Sequence, residues 1–298
     1  MSARLTGFLL ALTGLVILSP DAGLTRFIQM ETWSLIFWRG IGLFGTVGFL
    51  ALIFYRQKLL SYFQGLTWHA WAIIPLYGTV PLMWILGVRY AGGGQVLAVL
   101  AIAPLVASFS SRLFLGEAIR PATLIASLVA MLGVLVIVAE AFFHPASDAA
   151  ARHPLYLVGV VCSLAIPVFY ALVMTFSRKV DRPNSWPMIS LSGLVMVLAG
   201  LVVAPEITWP AEREQAWAVL WLVFIVGSLS TGFLTLATRY TTSADVTMVV
   251  MMEPVLGVGF LWMLVQESPT AFQWAGGAIV FTTVLVYTVQ QLTSRETS

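Results

Sequence analysis

Of 298 residues, 59% are hydrophobic and 9% are charged, against the roughly one quarter charged that is usual in soluble domains, so the composition places the chain in a membrane. The formal charge is +2, and the fifteen Lys and Arg are scattered between apolar stretches, which excludes a nucleic-acid-binding patch. The single cysteine, Cys162, rules out an intramolecular disulfide and a thiol metal site, and no H-x-x-x-H motif or phosphate loop accompanies His69, His144 and His153, so neither metal nor cofactor nor enzyme chemistry is expected.

Apolar stretches long enough to cross a bilayer at 1.5 Å per residue predict ten spanning helices in an all-α integral membrane protein. They cover residues 5–25, 32–54, 70–88, 92–114, 119–141, 155–177, 186–204, 217–237, 241–264 and 270–290. The first begins with Arg4 and LTGFLLALTGLVILSP, which imitates a signal peptide, but no A-x-A cleavage pattern follows, and the segment is expected to remain as the first helix. With a cytoplasmic amino terminus, Arg4, Arg56, Lys58, Arg112, Arg120, Arg178, Lys179, Arg182, Arg239 and Arg295 fall inside. Arg26, Arg89, Arg152 and Arg213 fall outside, and Arg39 lies within a span. Ten against four puts both termini in the cytoplasm by the positive-inside rule, and the protein in a cell membrane of the bacterial inner-membrane kind.

The second half repeats the first. Arg89-Tyr90, Pro104 and Glu117 match Arg239-Tyr240, Pro254 and Glu267 at an offset of 150. Trp33 to Gly40 aligns with Trp186 to Gly193, and Trp71 leads the third span as Trp221 leads the eighth. The chain therefore divides into residues 1–141, a polar linker at 142–154, and residues 155–292. Five helices per unit is an odd number, so the second unit enters the membrane from the opposite side, the pattern of carriers that hold a solute between inverted halves. Pro75, Pro81, Pro104, Pro167 and Pro254 are expected to interrupt spans and free carbonyls. Gly40, Gly42, Gly45 and Gly48, with Gly257 and Gly259, are expected to let backbones approach closely.

RYAGGGQVLAVLAIAPLVASFSSRLFLGEAIRP and its echo TRYTTSADVTMVVMMEPVLGVGFLWMLVQESPT, together with FWRGIG in the second span, resemble the two halves of EamA-like carriers of the drug/metabolite transporter superfamily. The resemblance covers nearly the whole chain. It implies a ten-helix fold and movement of small metabolites, often amino acids or related compounds and commonly outward. One departure is VQES in the second half where the first reads LGEA.

Residues that break the repeat are the better candidates for the solute, because the fold explains those that keep it. Glu253 stands about 18 Å into its span, near the bilayer centre, where its counterpart is Ala103; ionisable groups at that depth face a cavity or a partner. Arg39, about 11 Å from the outer end of the second span, has Ser192 as counterpart. The two are expected either to serve solute and coupling ion or to form a structural ion pair, and Arg39 alternatively snorkels outward. Tyr77, Pro81 and Trp84 share one helix face, with Gly227, Thr231 and Leu234 as counterparts; facing a cavity, they would stack on a planar group. Trp38, Gln95, Tyr170 and Met248 are further solute-binding candidates by depth or polarity, and Pro104 and Pro254 are candidate conformational hinges. Glu117 and Glu267 precede helices whose positive ends stabilise them, and Asp245 is expected to serve the amino-terminal end of the ninth span.

One cation, one anion and an aromatic face suit a zwitterion, so the expected activity is outward secondary transport of an amino acid or relative by alternating access. The expected partners are the solute, the lipid bilayer and protons as a coupling ion. A non-transporting membrane scaffold or an intramembrane lipid-modifying enzyme is the reading from a different class; it predicts lipid-facing grooves in place of a closed polar cavity.

Overall fold

The computed structural model describes residues 3–91, 96, 99–143, 154–180, 183–204, 206–257, 260 and 271–293. Among these the chain is helical throughout, with no strand. Seven helices are long and apolar enough to span a membrane, and Ala103–Leu115 and Pro121–Ile137 are shorter apolar helices.

The helices follow the predicted spans closely except at three places. The span expected at 5–25 is two helices, α1 (Ala3–Leu18) and α2 (Asp21–Phe27). Pro20 has no N–H to continue α1; its carbonyl instead accepts from Leu24 N at 2.9 Å and starts α2. Next come α3 (Thr32–Tyr55), which carries a π-helical segment at Leu43–Val47, and α4 (Trp68–Tyr90). The fourth span is broken: residues 96, 99 and 100 are helical, a turn follows at Ala101 and Ile102, and helix resumes as α5 (Ala103–Leu115). It is followed by α6 (Pro121–Phe143), α7 (Tyr156–Lys179), α8 (Trp186–Val203) and α9 (Arg213–Ala237), with a second π-helical segment at Trp221–Leu229. The ninth span is broken as well: α10 (Ser243–Val250) ends in a turn at Met251 and Met252, and helix resumes at 253–257. The last described helix is α11 (Ala271–Thr293).

Pro75, Pro81 and Pro167 lie inside continuous helices rather than interrupting them. Pro104 and Pro254 instead follow the two breaks, and the hydrogen bonds there match residue for residue. Leu105 N and Val106 N donate to Ile102 O at 3.0 and 3.1 Å; Val255 N and Leu256 N donate to Met252 O at 3.1 and 3.0 Å. A proline leaves the carbonyl four residues before it without its helical donor. Those residues are Leu100 and Val250, which line one cavity.

Packing has the same symmetry. α4 lies on α7 as α1 lies on α9, α5 lies on α7 as α10 lies on α1, and α3 with α8, α5 with α10 and α6 with α11 pair directly. Glycines set the closest crossings. A Cβ on Gly40 would stand 2.6 Å from the carbonyl oxygen of Gly193, and one on Gly193 would stand 2.5 Å from that of Gly40. Gly276 meets the carbonyl of Gly133 in the same way. Gly45 has open space around it, so the close approach expected there does not occur, and Gly259 lies outside the described residues. Gly193→Ala should therefore destabilise by about 1 to 3 kcal/mol, as overpacking does, despite alanine's better helix propensity. Gly45→Ala should be neutral or stabilising by up to about 1 kcal/mol. Thermal unfolding of the two variants in detergent reads the difference, and equal melting temperatures would refute the close crossing.

Candidate functional site

The cavity lies where α2, α3, α4, α7, α9 and the broken α10 segment converge, and it has a volume of about 70 Å³. That is room for a few water molecules, well below the roughly 300 to 1,000 Å³ of pockets that enclose drug-sized ligands. A ligand of that size would fit here only with these helices further apart.

Charge enters from three helices. The Arg39 guanidinium on α3 donates to both carboxylate oxygens of Asp21 on α2, through Nη1 to Oδ1 at 3.0 Å and through Nη2 to Oδ2. Thr25 Oγ1 also donates to Asp21 Oδ1, at 3.2 Å. Both charged side chains are buried, at 7% and 2% exposure, so the pair meets the condition under which a buried ion pair is tolerated, two-pronged geometry with lone pairs filled. Gly227 on the second π-helical segment makes the space: a Cβ there would stand 3.1 Å from Arg39 Nε. Glu253 is buried too, at 6% exposure. It lies in the first turn after the α10 break, not deep inside a continuous helix. Its carboxylate makes no hydrogen bond or ion pair among the described residues.

The expected pairing of Arg39 with Glu253 is thus corrected: Arg39 pairs with Asp21, both line the Glu253 cavity, and Arg39 does not snorkel outward. In a single helix over 5–25 Asp21 would fall in the last turns near the membrane surface, and only the restart as α2 turns it inward. The Ser19-Pro20-Asp21 sequence is the local signal for a helix restart.

The aromatic face of α4 does turn inward. Tyr77, Pro81 and Trp84 all line the cavity, with Tyr170 opposite on α7. The Tyr77 hydroxyl is hydrogen-bonded to Thr231 Oγ1, its neighbour across the fold. Trp84 Nε1 and Tyr170 Oη are buried without a hydrogen-bond partner among the described residues. Trp38 is elsewhere: its Nε1 donates to Thr208 O at 2.9 Å and its ring meets Trp209 edge-on. Met248 is fully buried in a separate apolar cluster with Ala126 and Tyr287, where Ser127 Oγ donates to its sulfur at 3.5 Å. Gln95 lies outside the described residues. Pro104 is buried at the start of α5, and Pro254 lines a small void beside Ala101 and Met251.

A second, polar cavity of about 480 Å³ lies among Arg4, Arg120, Arg178, Arg239, Glu117 and Asp245. Asp245 completes a capping box with Thr242 at the start of α10. Its carboxylate also accepts from Thr241 Oγ1 and Tyr287 Oη, each at 2.6 Å, and from Arg4 Nη2 at 3.3 Å. Glu117 pairs with Arg178 at 2.6 Å, so its partner is a side chain of α7. Glu267 is outside the described residues.

Residues 157–289 match the family model of the EamA-like transporter family. A riboflavin transporter of Brucella anthropi is 23% identical over 205 residues, covering 66% of this chain and 68% of that protein. A riboflavin transporter of Rhizobium johnstonii is 24% identical over 209 residues, covering 68% of this chain and 64% of that protein. A solved crystal structure superposes with a TM-score of 0.76 over 96% of this chain and 98% of its own, at 18% identity, a likeness of fold alone.

Proposed function

Because residues 157–289 carry an EamA-like transporter domain in a multi-pass helical membrane protein, we propose that the chain is a secondary transporter. It carries a small metabolite by alternating access between two inverted five-helix units. The observation that carries this reading is the cavity at the junction of both halves, holding a buried carboxylate, Glu253, that has no ion-pair partner among the described residues. The interchangeable helix pairings and the matched breaks before Pro104 and Pro254 support two related units hinged at those prolines. Broken helices at the binding site are how such carriers place free backbone groups around a solute.

An amino acid is a weaker choice of solute in view of the cavity's charges. A zwitterion needs a cation for its carboxylate, and Arg39 is already committed to both oxygens of Asp21. The aromatic lining and the named relatives favour a planar aromatic metabolite, with riboflavin as the first to test. Ten basic residues against four support cytoplasmic termini, which one-sided labelling of a single cysteine at Ser298 reads.

Purified protein in liposomes should move riboflavin saturably and faster than phenylalanine, in either direction of an imposed gradient. Saturable flux of amino acids alone would restore the zwitterion reading. No saturable flux of any solute would favour the scaffold or lipid-modifying alternative.

A further inference from the structure

The hydrogen-bonding groups of the cavity are sorted into those already engaged and those left open, and the open ones describe a solute edge. Tyr77 is bonded to Thr231, and Arg39 to Asp21. Left open among the described residues are two donors, Trp84 Nε1 and Tyr170 Oη, on residues only 7% and 8% exposed. One side-chain acceptor, the Glu253 carboxylate, lines the same cavity without a hydrogen bond among the described residues, near the carbonyls that Pro104 and Pro254 leave without helical donors. An indole N–H can only donate, and buried polar groups in folded proteins nearly always have partners. An unpaired donor inside a cavity therefore marks where a ligand acceptor goes. Apolar walls from Pro81, Ile166 and Leu234 complete the lining.

Resting on the transport reading above, we propose that the solute is a planar, uncharged heterocycle with a lactam or cyclic imide edge. Trp84 and Tyr170 donate to its carbonyl or ring-nitrogen acceptors, and Glu253 accepts from its ring N–H. A carboxylate-bearing solute finds no free cation: among the described residues the lining carries one, Arg39, already bonded to both oxygens of Asp21. An aromatic hydrocarbon or simple aryl amine is disfavoured because it leaves both donors empty, and a site with unfilled buried donors discriminates strongly against ligands lacking acceptors.

The test uses the full chain in detergent, with lumichrome as a bare tricyclic imide, its N3-methyl derivative and tryptophan as probes, followed by titration calorimetry. Lumichrome should bind more tightly than tryptophan. Trp84→Phe and Tyr170→Phe should each weaken it about tenfold, the scale of one hydrogen bond, while the melting temperature of the ligand-free protein stays within about 2 °C of the parent. The N3-methyl derivative should bind the parent more weakly than lumichrome does, and the gap should narrow in Glu253→Ala, which removes the acceptor that glutamine would keep. Should Trp84→Phe not fold, Tyr170→Phe and the methylated probe decide alone. Unchanged lumichrome affinity in well-folded phenylalanine variants, or tighter binding of tryptophan, overturns the solute class and leaves transport standing. Loss of all saturable flux in the parent overturns transport itself.

Discussion

Arg39→Gln should lower stability by about 3 to 5 kcal/mol, because it strands the Asp21 carboxylate in a site that is 2% exposed, the cost typical of breaking a buried pair by removing one partner. Asp21→Asn should cost a similar amount by stranding the guanidinium against Gly227. The double variant, with both charges gone and an amide on each side, should lose clearly less than the two singles added together, since only the singles leave an uncompensated charge. Glu253→Gln belongs beside them as the contrast. Its carboxylate has no ion-pair partner among the described residues, so neutralising it should leave stability equal to the parent's or raise it. Thermal or chemical unfolding of the four proteins reads the comparison. Additive losses for Arg39 and Asp21, or a Glu253→Gln loss as large as theirs, would mean that the charges of this cavity are coupled differently from the observed contacts.

Glu253→Gln should abolish solute movement driven by a pH gradient while leaving solute exchange measurable, since glutamine keeps the size and hydrogen-bonding reach of the side chain but cannot take up or release a proton. The placement makes this the largest expected functional loss. The residue stands directly after the α10 break, so any hinge motion at Pro254 moves the carboxylate relative to the fixed Asp21 and Arg39 charges and to water, and those surroundings govern whether it holds a proton. Flux across liposomes with pH varied on each side measures both quantities. If exchange and binding disappear together with driven transport, Glu253 is needed for the bound state itself and the proton-coupling role falls. Transport identical to the parent at every pH would remove Glu253 from the mechanism.

Composition and hydrophobic run length were enough to read the membrane class and most helix positions, because insertion into lipid depends on local apolar length and little else. The aromatic face of α4 was legible for a related reason: Tyr77, Pro81 and Trp84 share a side through 3.6-residue periodicity within one helix, and all three line the cavity. The same geometry separates Trp38 from its neighbour Arg39, since adjacent residues on a helix point about 100° apart, and Trp38 indeed bonds to Thr208 instead. Glu253 stood out by being charged where its counterpart is alanine. What the sequence could not settle was every contact between helices. Arg39 found Asp21 only because Pro20 breaks the first span and α2 turns its carboxylate toward α3. Tyr170 and Trp84 face one another's cavity only because α7 docks on α4, while Met248 is carried by α10 into the packing around α6 and α11. Depth along a span follows from counting residues, but partnership across spans depends on where breaks rotate each helix and on which glycines let two backbones meet.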